Sequence, residues 1–355
     1  MRLPPAIRSR FVEGVNGLRM HVLEAGEPGR TPVLLLHGFP ELAYSWRKVM
    51  PALARAGYHA IAPDQRGYGD TTGWDGRYDG DLASYSMLNL IEDAAQLLAR
   101  LDIESAHFVG HDFGAPVTAY CALSRPGLMR SCVLMSAPFG GVAIGARDSR
   151  IHEELAALGR KHYQWYYSTP EADEDMRRCP QGVHAFLRAY YHYKSADWPG
   201  NKPVPLNGWT AAELARLPTY YVMELDKNMA ETVAPYMPSQ PPAWLTDEEL
   251  GVYARAFERS GFQGGLQWYR CATSPQLTAD LNAALSRTTI DMPSMFIAGA
   301  SDWGVYQKPG EFERMQRSVC TDLRGCHLVP GAGHWVQQEQ AERTGELLIR
   351  FLKSL

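Results

Sequence analysis

Near the start of the chain, Phe11 to Val15 and Leu18 to Glu24 alternate apolar and polar positions and flank Asn16-Gly17. Asn-Gly tolerates positive φ at both central positions of a two-residue loop, so the segment predicts an antiparallel ribbon closed by a type I′ turn. Four short, largely apolar runs follow: Val33 to Leu36, Tyr58 to Ala62, Ala106 to Val109 and Cys132 to Met135. Each ends in a Gly- or Pro-containing turn, the pattern of strands buried on both faces of a parallel sheet. Between them, Tyr85 to Leu101 carries Leu88, Ile91, Ala95 and Leu98 on one face at helical spacing. Strand, helix, strand is the α/β arrangement.

The alternation stops near Ala137-Pro138-Phe139-Gly140-Gly141. From residue 139 to 286 the chain holds aromatic-rich helical stretches (His162 to Tyr167, Ala185 to Tyr193) and a Pro-rich passage from Pro235 to Pro242, with no clear buried strand. Strand signals resume at Met295 to Ala298 and Cys326 to Val329, and Ala341 to Leu355 reads as a closing helix. The expected organisation is a core split between residues 1–138 and 287–355, with residues 139–286 inserted as a helical cap.

Composition narrows the function. Of 355 residues, 45% are hydrophobic and 21% charged, which is ordinary for a globular chain and excludes disorder or a fibrous repeat. Thirty-five basic against 39 acidic residues leave a net charge of −4, with no long-range attraction for nucleic acid or anionic lipid. Six cysteines without a C-x-x-C read as reduced thiols. The first residues lack an apolar signal segment, and no stretch reaches the roughly 18 apolar residues of a membrane span. The expected location is the cytoplasm.

The chemistry concentrates at Phe108-Val109-Gly110-His111-Asp112-Phe113-Gly114-Ala115, an apolar strand entering small-x-Asp-x-small-small and then a helix. This is the nucleophile-elbow pattern with Asp where esterases carry Ser. Small residues around it leave room where strand and helix nearly touch, and the elbow itself holds a strained backbone. Earlier, His37-Gly38-Phe39-Pro40 follows the strand Val33 to Leu36, at the loop that supplies one oxyanion N–H in this arrangement. The expected donors are the backbone N–H groups of Phe39 and Phe113. His37 reads as a loop brace, as does Asp64 in Pro-Asp-Gln-Arg-Gly-Tyr-Gly.

A base and its orienting acid should follow the nucleophile in chain order. Asp302 lies just past the strand Met295 to Ala298, and His334 lies in Gly331-Ala332-Gly333-His334-Trp335 just past Cys326 to Val329. Both sit where strands end, at the edge that forms the crevice of open α/β sheets. His327 falls inside the last strand and is not expected to act. Asp in place of Ser selects the reaction. A serine attacking saturated carbon would leave an ether, whereas a carboxylate leaves an ester that activated water can cleave. With an ordinary pKa near 3.9, Asp also needs no base to be nucleophilic at neutral pH, so His334 is free to activate water.

Residues 33 to 138 and 290 to 338 resemble the α/β-hydrolase fold, a mostly parallel central sheet flanked by helices, and specifically its epoxide hydrolase branch. The motifs that carry the resemblance are His37-Gly38-Phe39-Pro40-Glu41 with Tyr44-Ser45-Trp46, Asp64-Gln65-Arg66-Gly67-Tyr68-Gly69, Gly110-His111-Asp112-Phe113-Gly114 and Gly333-His334-Trp335. In the cap they are His162-Tyr163-Gln164-Trp165-Tyr166-Tyr167 ahead of Pro170-Glu171-Ala172, and Gly261-Phe262-Gln263-Gly264-Gly265-Leu266-Gln267-Trp268-Tyr269-Arg270. The resemblance implies that each cap segment supplies a tyrosine to the epoxide oxygen, by position Tyr163 and Tyr269, with Tyr166 and Tyr167 as rivals of the former. A phenol with pKa near 10 stays protonated at neutral pH and can donate to an opening alkoxide.

The implied activity converts an apolar epoxide and water to a vicinal diol, with no cofactor and no metal. His152-Glu153-Glu154-Leu155 does not continue to a second zinc-spaced His, and no dinucleotide or phosphate-loop fingerprint is present. Haloalkane dehalogenases share the Asp nucleophile but follow it with a Trp, and fluoroacetate dehalogenases with an Arg. Phe113 stands here instead, which weakens both readings. A non-catalytic ligand-binding homologue is the rival from another class, against which the intact set of residues argues. Self-association into a homodimer is left open.

Overall fold

A computed structural model describes residues 3–142, 150–285 and 287–355. Ser286, where the sequence reading closes the inserted cap, lies outside them. Ten strands run in chain order as β1 (Ile7–Val15), β2 (Leu18–Ala25), β3 (Thr31–Leu36), β4 (Tyr58–Pro63), β5 (Ala106–His111), β6 (Met129–Met135), β7 (Arg160–His162), β8 (Val222–Glu224), β9 (Ser294–Gly299) and β10 (Leu323–Val329). Eight of them form one sheet in the order β1-β2-β4-β3-β5-β6-β9-β10. β1, β2 and β4 pair antiparallel and all later neighbours pair parallel. The expected ribbon is β1 and β2. Asn16 at φ 48° and Gly17 at φ 81° give its turn the two positive φ angles that a type I′ loop needs.

Along β3, Val33 and Leu35 face one layer while Leu34 and Leu36 face the other, because a strand's side chains alternate. The first layer is closed by the helices Met50–Arg55 and Ala341–Lys353, the second by Met87–Arg100 and Gly114–Ser124. The solid apolar runs are thus central strands with both faces covered. β10 is the exception. It closes the sheet at one edge, so its side chains are mostly half-exposed and Leu328 is 39% exposed.

Two further expectations need correction. In Met87–Arg100 the buried face is Leu90, Ile91, Ala94, Leu97 and Leu98, with Leu88 and Ala95 only half-buried. The face is turned because Asp93 is drawn inside by Arg66 (Nη2 to Oδ1 2.6 Å, Nε to Oδ2 2.8 Å) and by the Asn16 amide (2.8 Å). Hydrophobic periodicity counts such a carboxylate as surface. The inserted segment is also not all helical: β7 and β8 pair antiparallel, but at three residues each they are too short to show a period.

Among the described residues of the insertion the helices include Tyr163–Tyr166, Gly182–Lys194, Asp247–Ser260 and Gln263–Thr273. It is tied to the sheet side by polar contacts: Tyr191 Oη donates to Pro40 O (2.9 Å), Trp268 Nε1 to Arg66 O (3.0 Å), and Arg47 pairs with Glu249 (2.9 Å). Among the described residues no helix is long and apolar enough to cross a membrane.

Candidate active site

Asp112 follows β5 directly and precedes the helix Gly114–Ser124, with a left-handed backbone at φ 51°. Asp tolerates this region better than most residues, but the strain persists only because the surroundings impose it. A Cβ on Gly110 would lie 2.0 Å from the Gly114 carbonyl oxygen, and one on Gly114 would lie 2.2 Å from Leu36 O. Backbone cannot yield there, so the turn accepts only glycine at both positions. A Cβ on Gly38 would come within 2.3 Å of Asp112 Oδ1. Gly38→Ala is therefore expected to displace the carboxylate and lower turnover by about 100-fold, with a melting temperature near that of the parent. Steady-state rates beside a thermal melt check it.

The loop after β3 reaches the elbow. Phe39 N–H donates to Asp112 Oδ1 at 2.9 Å. The Phe113 N–H lies at the start of the following helix, where N–H groups have no intrahelical acceptor. His37 is fully buried, with Nδ1 on Gly38 O (2.9 Å) and Nε2 accepting from Gln65 N (3.1 Å). That pattern is a neutral ring with its proton on Nδ1, and burial lowers its pKa accordingly. Asp64 likewise accepts from Ala43 N (2.9 Å), Asp70 N (3.0 Å) and His21 Nδ1 (2.7 Å). Both residues brace loops.

His334 and Asp302, 32 residues apart, meet beside the elbow. His334 Nδ1 lies 3.1 Å from Asp302 Oδ1 and 3.3 Å from Oδ2, while Oδ1 also accepts from Gly304 N at 2.7 Å. On its other side, His334 Nε2 is 3.2 Å from Asp112 Oδ2 without hydrogen-bonding alignment, so this nitrogen is buried and unengaged. The Asp112 side chain retains 12% exposure. Its burial would raise the carboxyl pKa. His334, and after it Lys194 and His111, outweigh burial and hold it well below the usual carboxylate range. Asp302 is lowered in the same way, with burial opposed chiefly by His334.

A buried polar frame stands behind these residues that no sequence motif announces. His111 donates through Nδ1 to Glu41 Oε2 (2.6 Å) and through Nε2 to His334 O (2.7 Å). Two acceptors on one ring require an imidazolium, and Glu41 raises the His111 pKa against the burial that lowers it. Ser136, itself left-handed at φ 64°, donates to His334 O at 3.0 Å. Gln337 and Gln338 both donate to Glu41 Oε1 (3.0 and 3.1 Å). Glu339 closes the frame, accepting from Gly333 N (2.9 Å), Trp335 N (2.9 Å) and, across the cap, Ala196 N (2.8 Å). Glu41 and His111 stand inside motifs whose signal comes from their neighbours, and Gln337 to Glu339 follow His334 with no pattern of their own. Glu339→Ala orphans three N–H groups around His334 and is expected to cost about 2 kcal/mol or more, read by denaturant unfolding.

In the cap, the Tyr269 ring packs on Phe39 (5.5 Å between centroids), Phe113 (5.2 Å) and Tyr163 (5.8 Å). Burial, and after it the Asp112 charge, push the Tyr269 phenol well above 10, so it remains a donor through the alkaline range. Tyr163 Oη is 3.2 Å from both Gln307 Oε1 and Gln164 Nε2. Its rivals are engaged elsewhere. Tyr166 donates to Asp175 (2.8 Å) at a separate cavity of about 650 Å³ on the outer cap, and Tyr167 donates to Tyr190 (3.3 Å).

One group of potential metal donors occurs among the described residues, His21, Asp64 and Asp70, with ligand atoms within 4.8 Å of one another. Its atoms are already engaged: His21 bridges Asp64 and Ser9 (2.8 Å), and Asp70 pairs with Arg259 at 2.5 Å.

The family model for the alpha/beta hydrolase fold matches residues 31–216. Epoxide hydrolase A of Mycobacterium tuberculosis is 35% identical over 361 residues, covering 96% of each chain, and Epoxide hydrolase B of that organism is 33% identical over 356 residues, covering 96% and 97%. Among solved structures, an epoxide hydrolase from an endophytic Streptomyces superposes with a TM-score of 0.79 at 31% identity, covering 99% of this chain and 96% of that one. Potato (Solanum tuberosum) epoxide hydrolase I gives 0.76 at 29%, covering 98% and 100%. An eight-stranded, mostly parallel sheet with an aspartate at its elbow, and full-length likeness at this level, make the chain a member of the epoxide hydrolase family of α/β-hydrolase-fold enzymes.

Proposed function

We propose that the enzyme opens an epoxide to a vicinal diol through an ester on Asp112. The observation that carries this reading is the division of labour between the two carboxylate oxygens. Oδ1 is held by the Phe39 N–H, while Oδ2 faces the unengaged Nε2 of His334. Oδ2 attacks a ring carbon, the carbon–oxygen bond breaks, and the departing oxygen takes a proton from Tyr269 or Tyr163. Water then gives its proton to His334 Nε2 and adds to the ester carbonyl, whose oxyanion is held by the Phe39 and Phe113 N–H groups. Asp302 orients the imidazole and stabilises its charged form. On collapse the departing diol oxygen takes the proton from His334, and the new Asp112 carboxyl group returns a proton to the tyrosinate, which restores imidazole, carboxylate and phenol.

Residues 139–286 act in this scheme as a lid whose aromatic underside shelters the reaction. Six cysteines without disulfides suit a reducing compartment such as the cytoplasm. A single turnover in heavy-oxygen water tests the mechanism. Label is expected in the Asp112 side chain and not in the first diol, and label entering the first diol directly overturns the ester. A panel of aryl, alkyl and cyclic epoxides reads out the product class, and halide release from haloalkanes without diol would reassign the reaction. Tyr269→Phe is expected to slow ring opening about 100-fold, as loss of one preorganised oxyanion donor does, while ester hydrolysis keeps its rate in single-turnover kinetics.

A further inference from the structure

His334 stands in a loop whose backbone one side chain holds on both sides. Glu339 Oε2 accepts from Gly333 N (2.9 Å) and Oε1 from Trp335 N (2.9 Å), the N–H groups immediately before and after the base. Oε2 also accepts from Ala196 N (2.8 Å), two residues beyond the end of the cap helix Gly182–Lys194. The base loop adds a bond of its own, from His334 N to Lys194 O at 2.9 Å. Backbone meets backbone here: a Cβ on Gly333 would lie 2.5 Å from Ser195 C and 2.6 Å from Lys194 O. The loop that carries the base is therefore seated on the cap, and Glu339 closes the seat.

The position asks for a carboxyl group. All three partners are donors, and an ionised carboxyl offers acceptors on both oxygens, whereas Gln would turn an NH2 group toward at least one N–H. Burial pushes the Glu339 pKa up to about 8, against the three N–H groups that favour the charged form. The groups assigned to ring opening are secured by other contacts. Asp112 Oδ1 rests on the Phe39 N–H. The helix that carries Tyr269 is tied down by Trp268 Nε1 to Arg66 O (3.0 Å) and Gln267 Nε2 to Arg77 O (2.8 Å), and Tyr78 Oη donates to Ser168 O (3.0 Å) just past the helix that carries Tyr163. None of these contacts involves Glu339 or Ala196.

We propose that Glu339 is a positioning residue for the second chemical step: by tying the base loop to the end of the cap helix it fixes His334 where water can be activated against the ester. The inference rests on the epoxide hydrolase reading above. Asp302 sets the rotation of the imidazole through Nδ1 (3.1 Å), and the Glu339 bonds set the place of the residue as a whole. Without them the Gly333, Trp335 and Ala196 N–H groups lose their acceptor and the base shifts relative to Asp112. The carboxylate and the two phenols keep their own supports, so ring opening proceeds.

The test uses the full chain with whichever aryl, alkyl or cyclic epoxide the parent turns over, at about pH 9 so that Glu339 is ionised. Rapid quenching followed by intact-protein mass reads ring opening as the gain of the epoxide and ester hydrolysis as its loss. Glu339→Gln keeps one acceptor oxygen and Glu339→Ala none, so hydrolysis is expected to slow about tenfold in the first and about 100-fold in the second, with adduct accumulating. Ring opening is expected to stay within about threefold of the parent in both. A thermal melt reports folding, and Glu339→Gln decides if the alanine variant does not fold. The proposal is overturned if Glu339→Gln hydrolyses its ester at the parent rate, or if it slows both steps equally, as a general loosening of the structure would. A parent enzyme that yields neither adduct nor diol from any epoxide sinks the functional reading beneath it.

Discussion

Asp112→Ala removes turnover, a loss of at least about 10⁴-fold set against the parent enzyme. The neighbouring described carboxylates Asp302 and Glu41 are engaged elsewhere, Asp302 by His334 and Gly304 and Glu41 by His111, Gln337 and Gln338. Alanine at φ 51° also strains the elbow, so Asp112→Asn is the companion variant. Asparagine tolerates the left-handed backbone and keeps an oxygen for the Phe39 N–H, yet offers no anionic nucleophile. Both variants should retain a cooperative thermal melt and form no adduct with an epoxide by intact-protein mass. Diol production by Asp112→Asn at about a tenth of the parent rate or more would show that Asp112 is not the nucleophile.

His334→Gln separates the two chemical steps. In the proposed mechanism ring opening uses a carboxylate that is already ionised, because the surrounding charges hold its pKa below the ordinary range, and it would draw its proton from a cap tyrosine. Ester hydrolysis needs a base on water, and Nε2 is the unengaged buried nitrogen next to the carboxylate. The variant should therefore consume one equivalent of epoxide in a burst and gain mass equal to the epoxide. It should then turn over more slowly by about 10² to 10⁴, the range that general base catalysis supplies. Normal turnover without an adduct would remove His334 from the mechanism.

Much of this is legible without the fold. The elbow at Asp112, the Phe39 loop and the chain order Asp112, Asp302, His334 are local patterns, since they depend on which residues a sharp strand-to-helix turn or a strand end can hold. The I′ ribbon and the buried strands are legible for the same reason, while β10 misleads because a solid apolar run does not report whether a strand has a neighbour on each side. Spacing does not choose among Tyr163, Tyr166 and Tyr167, for the choice turns on where each hydroxyl finds its partner: Gln307, Asp175 or Tyr190.

The sequence by itself determined the fold class and marked the candidate reacting groups, because turn sterics and side-chain chemistry act over a few residues. Only the tertiary structure decided what supports them. Glu41 reaches His111 across 70 positions and Gln337 across 296, and Glu339 joins the His334 loop to Ala196. Such pairings depend on strand order and on how the cap settles over the sheet, and burial makes each of them matter because water cannot stand in for a missing partner.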